Sequence, residues 1–341
     1  MQGITFKGSK GGKIVQSSLS RQEKLGDDQV VVQVTHSGLC GTDLHYLEQD
    51  MVLGHEAIGT VQAVGPKVKS LRVGDRVGWG YQHGSCLEVN KAECDMCLTG
   101  NDQYCPNARM YGVTDYDQGS FSNIGIWNEK WLFPIPKNLK SEHAAPLMCG
   151  GATVFTPLIE NVKPIHRVGI VGVGGLGHIA IQFAAKMGCE VVVFSGTDSK
   201  REEAISLGAR EFYATKGVDD LTKLNLPFPI DRLILTTSAL EDVGKYYPVL
   251  SQQAIIMPLT VSENDLVTPH QKTILKGVKI VGTVLATRYM QMKMLQFADR
   301  NNIKPMVEMF PMTVEGIIEA VQKLKEGKMR YRGVLCWDLA K

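Results

Sequence analysis

Excess charge of either sign is almost absent: 37 Lys+Arg stand against 35 Asp+Glu, a formal net charge of +2 over 341 residues. Without a block of like charges, the chain projects no long-range field that would gather nucleic acid. Long apolar runs are missing too. No stretch approaches the roughly 20 residues a membrane-spanning helix needs, and the opening MQGITFKGSKGGKI has no apolar signal core, so a cytoplasmic protein is expected. Internal repeats and low-complexity segments are lacking. Cysteine is scarce, at 8 residues, and unevenly spread: Cys86, Cys94, Cys97 and Cys105 crowd together, while Cys40, Cys149, Cys189 and Cys336 are scattered. In a reducing compartment such crowding points to metal rather than to disulfides.

What is present falls into two textures. Up to about residue 140, short β-branched runs (Gln29–Thr35, Gly59–Val64, Asp75–Val77) alternate with Gly, Pro and Asp turns, which predicts a loop-rich, mostly β domain. After Pro146, apolar strands alternate with helix-period segments: Val168–Val171, Leu176–Met187 closed by Gly188, Val191–Phe194, and Ser199–Leu207 closed by Gly208. Asp231–Leu235, an apolar segment around Val243–Leu250, Ala254–Met257 and Val278–Val281 continue the series, which predicts a doubly wound parallel sheet. Two further helices, Tyr289–Arg300 and Thr313–Lys325, and a strand, Gly333–Trp337, close the chain.

The strand Arg167–Val171 runs into Gly172-Val-Gly174-Gly175-Leu176-Gly177 and then a helix, a dinucleotide-binding fingerprint in its required strand-turn-helix context. Gly172 allows the tight turn, Gly174 lets a pyrophosphate approach the backbone, and Gly177 lets the helix pack on the strand. An NAD site places an acidic residue at the end of the next strand to hold the ribose 2′-hydroxyl. Here Ser195, Gly196 and Thr197 come first, followed by Asp198, Lys200 and Arg201. A hydroxyl with nearby cations suits a 2′-phosphate, so NADP(H) is favoured over NAD; Asp198 is the residue that would serve NAD.

Cys94-x2-Cys97-x7-Cys105, with Cys86 upstream, offers four soft ligands, enough to close a structural zinc site that leaves no position for substrate. Cys40, His55 and Cys149 are the remaining metal candidates; each taken singly is as easily an ordinary core residue.

Taken in order, Gly38-Leu-Cys40-Gly-Thr42-Asp43, Gly54-His55-Glu56, Gly74-Asp75-Arg76-Val77, the cysteine cluster, Ala145–Thr153 and Gly172–Gly177 resemble the zinc-dependent medium-chain alcohol dehydrogenase family, in its cinnamyl-alcohol-dehydrogenase-like branch. The resemblance runs from about Val30 to Val334. It implies an α/β protein with a GroES-like, mostly β catalytic domain (1–150 and 288–341) and a doubly wound Rossmann domain (151–287) that binds NADP(H), the active site lying in the cleft between them. It also implies two zinc ions per chain, one catalytic and one structural, and a homodimer formed through sheet edges such as Val278–Val284.

Carried over by residue, the resemblance makes Cys40, His55 and Cys149 ligands of a catalytic zinc. Asp43, whose alternative role is a turn cap, holds the other ring nitrogen of His55, and Glu56 approaches the metal during ligand exchange. Thr42 meets the substrate oxygen and His45 ends a proton relay. Thr153 lies beside the nicotinamide, and Arg332, with Arg330 close enough to compete, near the pyrophosphate. The reaction implied is hydride transfer between NADP(H) and an alcohol/aldehyde pair, aromatic or medium-chain. An NAD-linked polyol dehydrogenase, a reductase of conjugated alkenes or iminium ions, and a non-catalytic dinucleotide-binding protein are the rival readings.

Two departures stand out. Seven residues separate Cys86 from Cys94, five more than in many relatives, which leaves His83, Glu88 and Glu93 as alternative fourth donors. Only fourteen residues separate Cys40 from His55, a shortening expected to open the substrate pocket.

Overall fold

In a computed structural model, the structure describes residues 2–20, 24–88, 94–237, 242–262 and 264–340. The chain divides into two compact units, Met1–Ala152 with Leu285–Lys341, and Thr153–Val284. Among the described residues no helix is long and apolar enough to cross a membrane.

The first unit is built on a seven-stranded sheet. Val307–Pro311, Arg332–Cys336, Gln29–Leu39, Glu56–Val64, Arg76–Trp79 and Phe133–Pro134 neighbour one another in that order, and Ile124–Asn128 pairs with Gln29–Leu39. Val307–Pro311 runs parallel to Arg332–Cys336, which pairs antiparallel with Gln29–Leu39, so the C-terminal segment is built into the N-terminal sheet. Val30, Val32, Val34, Ala57, Val61 and Val77 pack with Trp79, Trp127 and Trp131 on one side. Phe6, Leu39, Leu53, Phe121 and the helix Val314–Lys325 make a second core. Thr313 caps that helix by accepting from the Gly316 amide at 3.1 Å, and Thr287 caps Arg288–Arg300 through the Met290 amide at 3.0 Å.

The second unit holds a parallel sheet in the order Glu211–Ala214, Glu190–Ser195, Arg167–Val171, Ile230–Leu235, Leu250–Pro258, Lys279–Ile280. Numbered along the chain this is 3-2-1-4-5-6, the doubly wound order that reverses beside the first strand, where such sheets take their ligands. The helix Gly177–Lys186 stops where Gly188 adopts φ +88° and its amide returns to the Ala185 carbonyl. The apolar segment at Val243–Val249 is a 3-10 turn rather than an α-helix, with Tyr246 and Tyr247 buried against Phe194 and Leu233. The expected strand at Val278–Val281 shrinks to Lys279–Ile280, an exposed edge strand entered from Gly277 at φ +63°.

Candidate active site

The elements that deliver the catalytic candidates all belong to the first unit. Cys40 follows the strand Gln29–Leu39 and opens a 3-10 turn, Gly41–Tyr46; His55 and Glu56 enter the next strand; Cys149 sits in one turn of π-helix, Leu147–Gly151. A π-turn inserted between two α-helical stretches is a recurrent device for aiming a functional side chain. The strand pairing sets Gly38 opposite Glu56, and only glycine fits there: a Cβ would stand 1.9 Å from Glu56 Oε2.

One ligand atom each from Cys40, His55, Glu56 and Cys149 lies within 4.8 Å of the others. His55 Nδ1 donates to Asp43 Oδ1 at 2.9 Å, leaving Nε2 as a bare lone pair, buried and without a hydrogen-bond partner. An orphaned acceptor beside two thiols satisfies itself by binding a metal, so the donor set fits a zinc ion. Hydrogen bonding from Cys149, the largest cause, draws the Cys40 thiol well below its usual range against the opposing effect of burial, toward the thiolate a metal needs. Asp43, fully buried, also accepts the Cys40 amide at 2.8 Å through Oδ2, so it caps the turn and orients the ligand at once.

Glu56 is fully buried. Burial pushes its carboxyl up to about 7 against the pull of Arg332. Oε1 pairs with Arg332, while Oε2 has no hydrogen-bond partner. Arg332 is therefore not a surface cation: it is 5% exposed and spends its guanidinium on Glu56, a contact the expected pyrophosphate role did not contain. Arg330 lies over the Tyr331 ring at 5.5 Å. Thr42 Oγ1 is 3.7 Å from Cys40 Sγ, and His45 is exposed at the end of the same turn.

Sequence reasoning missed the rings around His55. Tyr111 lies 4.9 Å and Tyr81 5.3 Å away between ring centroids. The Tyr111 hydroxyl accepts the Gly54 amide at 2.9 Å and hydrogen-bonds to Asp43, and the Tyr81 and Tyr46 hydroxyls are 3.1 Å apart. No local motif marks Tyr111, because its partners lie far away in the chain.

The second cluster is complete among the described residues: Cys86, Cys94, Cys97 and Cys105 place their sulfurs within 4.8 Å of one another. Backbone amides of Cys86, Cys94 and Asn107 point at these sulfurs at 3.3 to 3.4 Å, support suited to thiolates. Two of the alternative donors have partners of their own. His83 bonds Asp115 at 2.7 Å, and Glu88 accepts the Ser85 amide at 2.6 Å; Glu93 lies outside the described residues.

In the second unit, Gly172 turns at φ +95°, and a Cβ on Gly177 would stand 2.0 Å from the Gly172 carbonyl oxygen. A Cβ on Gly174 meets nothing within 4 Å, so the turn is open where a phosphate must approach. Gly175 and Leu176 complete the turn into the helix. Lys200 reaches back across it, Nζ donating to the Val173 carbonyl at 2.7 Å. Ser195 ends the second strand, and Gly196 and Thr197 follow it, exposed. Asp198 is locked by Arg201 through bonds of 2.6 to 3.1 Å. Thr153, half-buried, begins this unit on the helix Ala152–Asn161.

These two units define a dehydrogenase that pairs a cysteine-histidine metal centre with a dinucleotide sheet, and the comparisons give it a family. Residues 26–137 match the alcohol dehydrogenase GroES-like domain and residues 175–300 the zinc-binding dehydrogenase domain. The chain is 34% identical over 337 residues to a Bacillus subtilis protein named "Probable formaldehyde dehydrogenase AdhA", covering 95% of this chain and 94% of that one. It is 32% identical to NADP-dependent alcohol dehydrogenase C 1 of Mycolicibacterium smegmatis, covering 91% of each. A cinnamyl alcohol dehydrogenase structure from Sorghum bicolor superposes with a TM-score of 0.91 at 28% identity, covering 100% of this chain and 99% of that one. The chain belongs to the zinc-dependent medium-chain alcohol dehydrogenases, in their cinnamyl-alcohol-dehydrogenase-like branch.

Proposed function

We propose that the protein is an NADP(H)-linked zinc alcohol dehydrogenase, acting as an aldehyde reductase in the reductive direction. The alcohol/aldehyde pairs the resemblance points to are aromatic or medium-chain. The observation that carries the reading is the close quartet of Cys40, His55, Glu56 and Cys149, all but Cys40 buried, with its orphaned imidazole nitrogen. Cys40, His55 and Cys149 hold the catalytic zinc, and the four-cysteine cluster holds a second, structural one. When bound, zinc supplies Lewis acidity at the substrate oxygen and the reduced nicotinamide supplies the hydride.

The chain's own residues manage position and protons. Asp43 fixes the His55 tautomer. Half-buried Thr42 Oγ1 would give a proton to the oxygen of the nascent alcohol and be reprotonated from solvent through the nicotinamide ribose hydroxyl and exposed His45. The Gly172–Gly177 turn cradles the pyrophosphate, with Arg332 proposed nearby and Thr153 beside the nicotinamide. Ser195, Gly196, Thr197 and Lys200 receive the 2′-phosphate. The pairing of Asp198 with Arg201 supports this choice, because the carboxylate that would hold an NAD ribose is already engaged.

The test is initial-rate oxidation of NADPH and of NADH by zinc-replete protein across aliphatic and aromatic aldehydes. Faster turnover with NADPH is expected. Faster turnover with NADH would overturn the cofactor assignment, and silence with both would overturn the reaction.

A further inference from the structure

Close to the metal quartet, the first unit contains a cavity of about 20 Å³, room for about one water molecule, which needs roughly 10–15 Å³. Its wall includes Tyr81, Gln82, Trp131, Met148, Arg288 and Gln291. It is close to the chemistry: Met148 precedes the Cys149 ligand candidate, and the Tyr81 ring stands 5.3 Å from that of His55. The Arg288 guanidinium carbon lies 5.4 Å from the centre of the Trp131 ring, the geometry of a cation-π stack.

Arg288 is held there by a residue distant in sequence. Asp102, whose side chain is 5% exposed, lies 3.3 Å from Arg288 Nε. It sits in the short 3-10 turn Asp102–Tyr104, between Cys97 and Cys105 of the cysteine cluster. The Asp102 carbonyl is tied down in turn, accepting Gln82 Nε2 at 2.9 Å and the Cys105 amide at 3.1 Å. On the other side, Gln291 Nε2 reaches Met148 Sδ at 3.7 Å. The cysteine loop therefore places a cation on the indole face of Trp131, a ring otherwise packed in the sheet's core.

We propose that Arg288, latched by Asp102, is a specificity-determining plug: it fills the Trp131 face, selects against aryl carbonyl compounds and leaves the site to slender aliphatic ones. This rests on the aldehyde-reductase reading and decides between the two substrate classes that reading allows. Volume rather than charge does the work, since Asp102 already balances the guanidinium. Arg288→Met, which keeps most of the side-chain bulk but loses the latch, therefore falls between the parent and Arg288→Ala, which opens the face. Asp102→Asn loosens the latch and moves preference the same way, by less.

The experiment has two arms. Specificity constants for benzaldehyde and hexanal are compared in the parent, Arg288→Ala, Arg288→Met and Asp102→Asn, with circular dichroism as the folding control. The benzaldehyde-to-hexanal ratio is expected to rise about tenfold or more in Arg288→Ala, the scale on which pocket shape discriminates. A ratio within twofold of the parent, or an equal rise in Arg288→Met, would overturn the proposal. The second arm needs no turnover: saturation-transfer NMR with benzyl alcohol is expected to give a stronger signal with Arg288→Ala than with the parent, and equal signals would overturn the plug. A parent that binds as expected but reduces no aldehyde would fail the reductase reading and leave the plug standing.

Discussion

Around the thiols of Cys40 and Cys149, the most heavily engaged carboxylate is Asp43. It accepts His55 Nδ1 at 2.9 Å and the Cys40 amide at 2.8 Å, and it bonds the Tyr111 hydroxyl. Each contact reinforces the others, because a carboxylate held on both oxygens cannot swing away from the imidazole. Tyr111 is held as well, through the Gly54 amide next to His55 in the chain. Tyr111→Phe keeps the ring packing and deletes only the hydroxyl, so any loss reports the hydrogen bond. Outer contacts of this kind are worth about 10-fold to 100-fold in metal affinity or activity. The affinity of the catalytic site for zinc, read by competition with a chelator, and kcat/KM are both expected to fall by about tenfold, while the four-cysteine site keeps its metal. Parental values for both would reduce Tyr111 to a packing residue.

Elements assembled from neighbouring residues were legible in the sequence; those assembled across the chain were not. The glycine turn, the helix after it and its Gly188 stop are written within about twenty residues, and the structure reproduces them. The strand Glu211–Ala214 escaped notice because four residues of mixed polarity carry no clear alternation. The strand Val307–Pro311 escaped because its partner, Arg332–Cys336, forms only after an intervening helix. The Glu56–Arg332 contact joins residues 276 positions apart and the Asp102–Arg288 contact is also far from local, and no spacing rule reaches either. At the Rossmann turn, by contrast, local order supports a direct test. Lys200 leaves the second strand and lays its ammonium over the Val173 carbonyl at 2.7 Å, so Lys200→Ala removes one charge without touching the glycines. A hydrogen bond to a charged group is worth about 1.5–3 kcal/mol, roughly tenfold to a hundredfold in binding. Specificity for NADPH is expected to fall by that factor while that for NADH changes little. An equal fall for both cofactors would place Lys200 in the turn's structure rather than at the 2′-phosphate.

For the molecule as a whole, part of the response to acid follows from two half-buried histidines in the first unit. His36 and His143 both titrate below the ordinary 6.5, first because burial disfavours the imidazolium. Glu142 opposes the shift at both, joined by Asp338 at His36 and the Pro305 carbonyl at His143; Arg76 at the first, and Lys304 and Lys140 at the second, add to it. In the unfolded chain both rings return to about 6.5. Below that pH the unfolded state binds protons that the native state refuses, so stability falls with pH until the folded-state values are passed; above it the contribution is fully present. His36→Gln/His143→Gln is therefore expected to flatten the decline in urea midpoint between pH 7 and pH 5. Acid release of metal weakens the parent and the double variant alike, so the difference between their two slopes isolates the histidines. Parallel slopes would show that these two imidazoles do not set the acid limit of the fold.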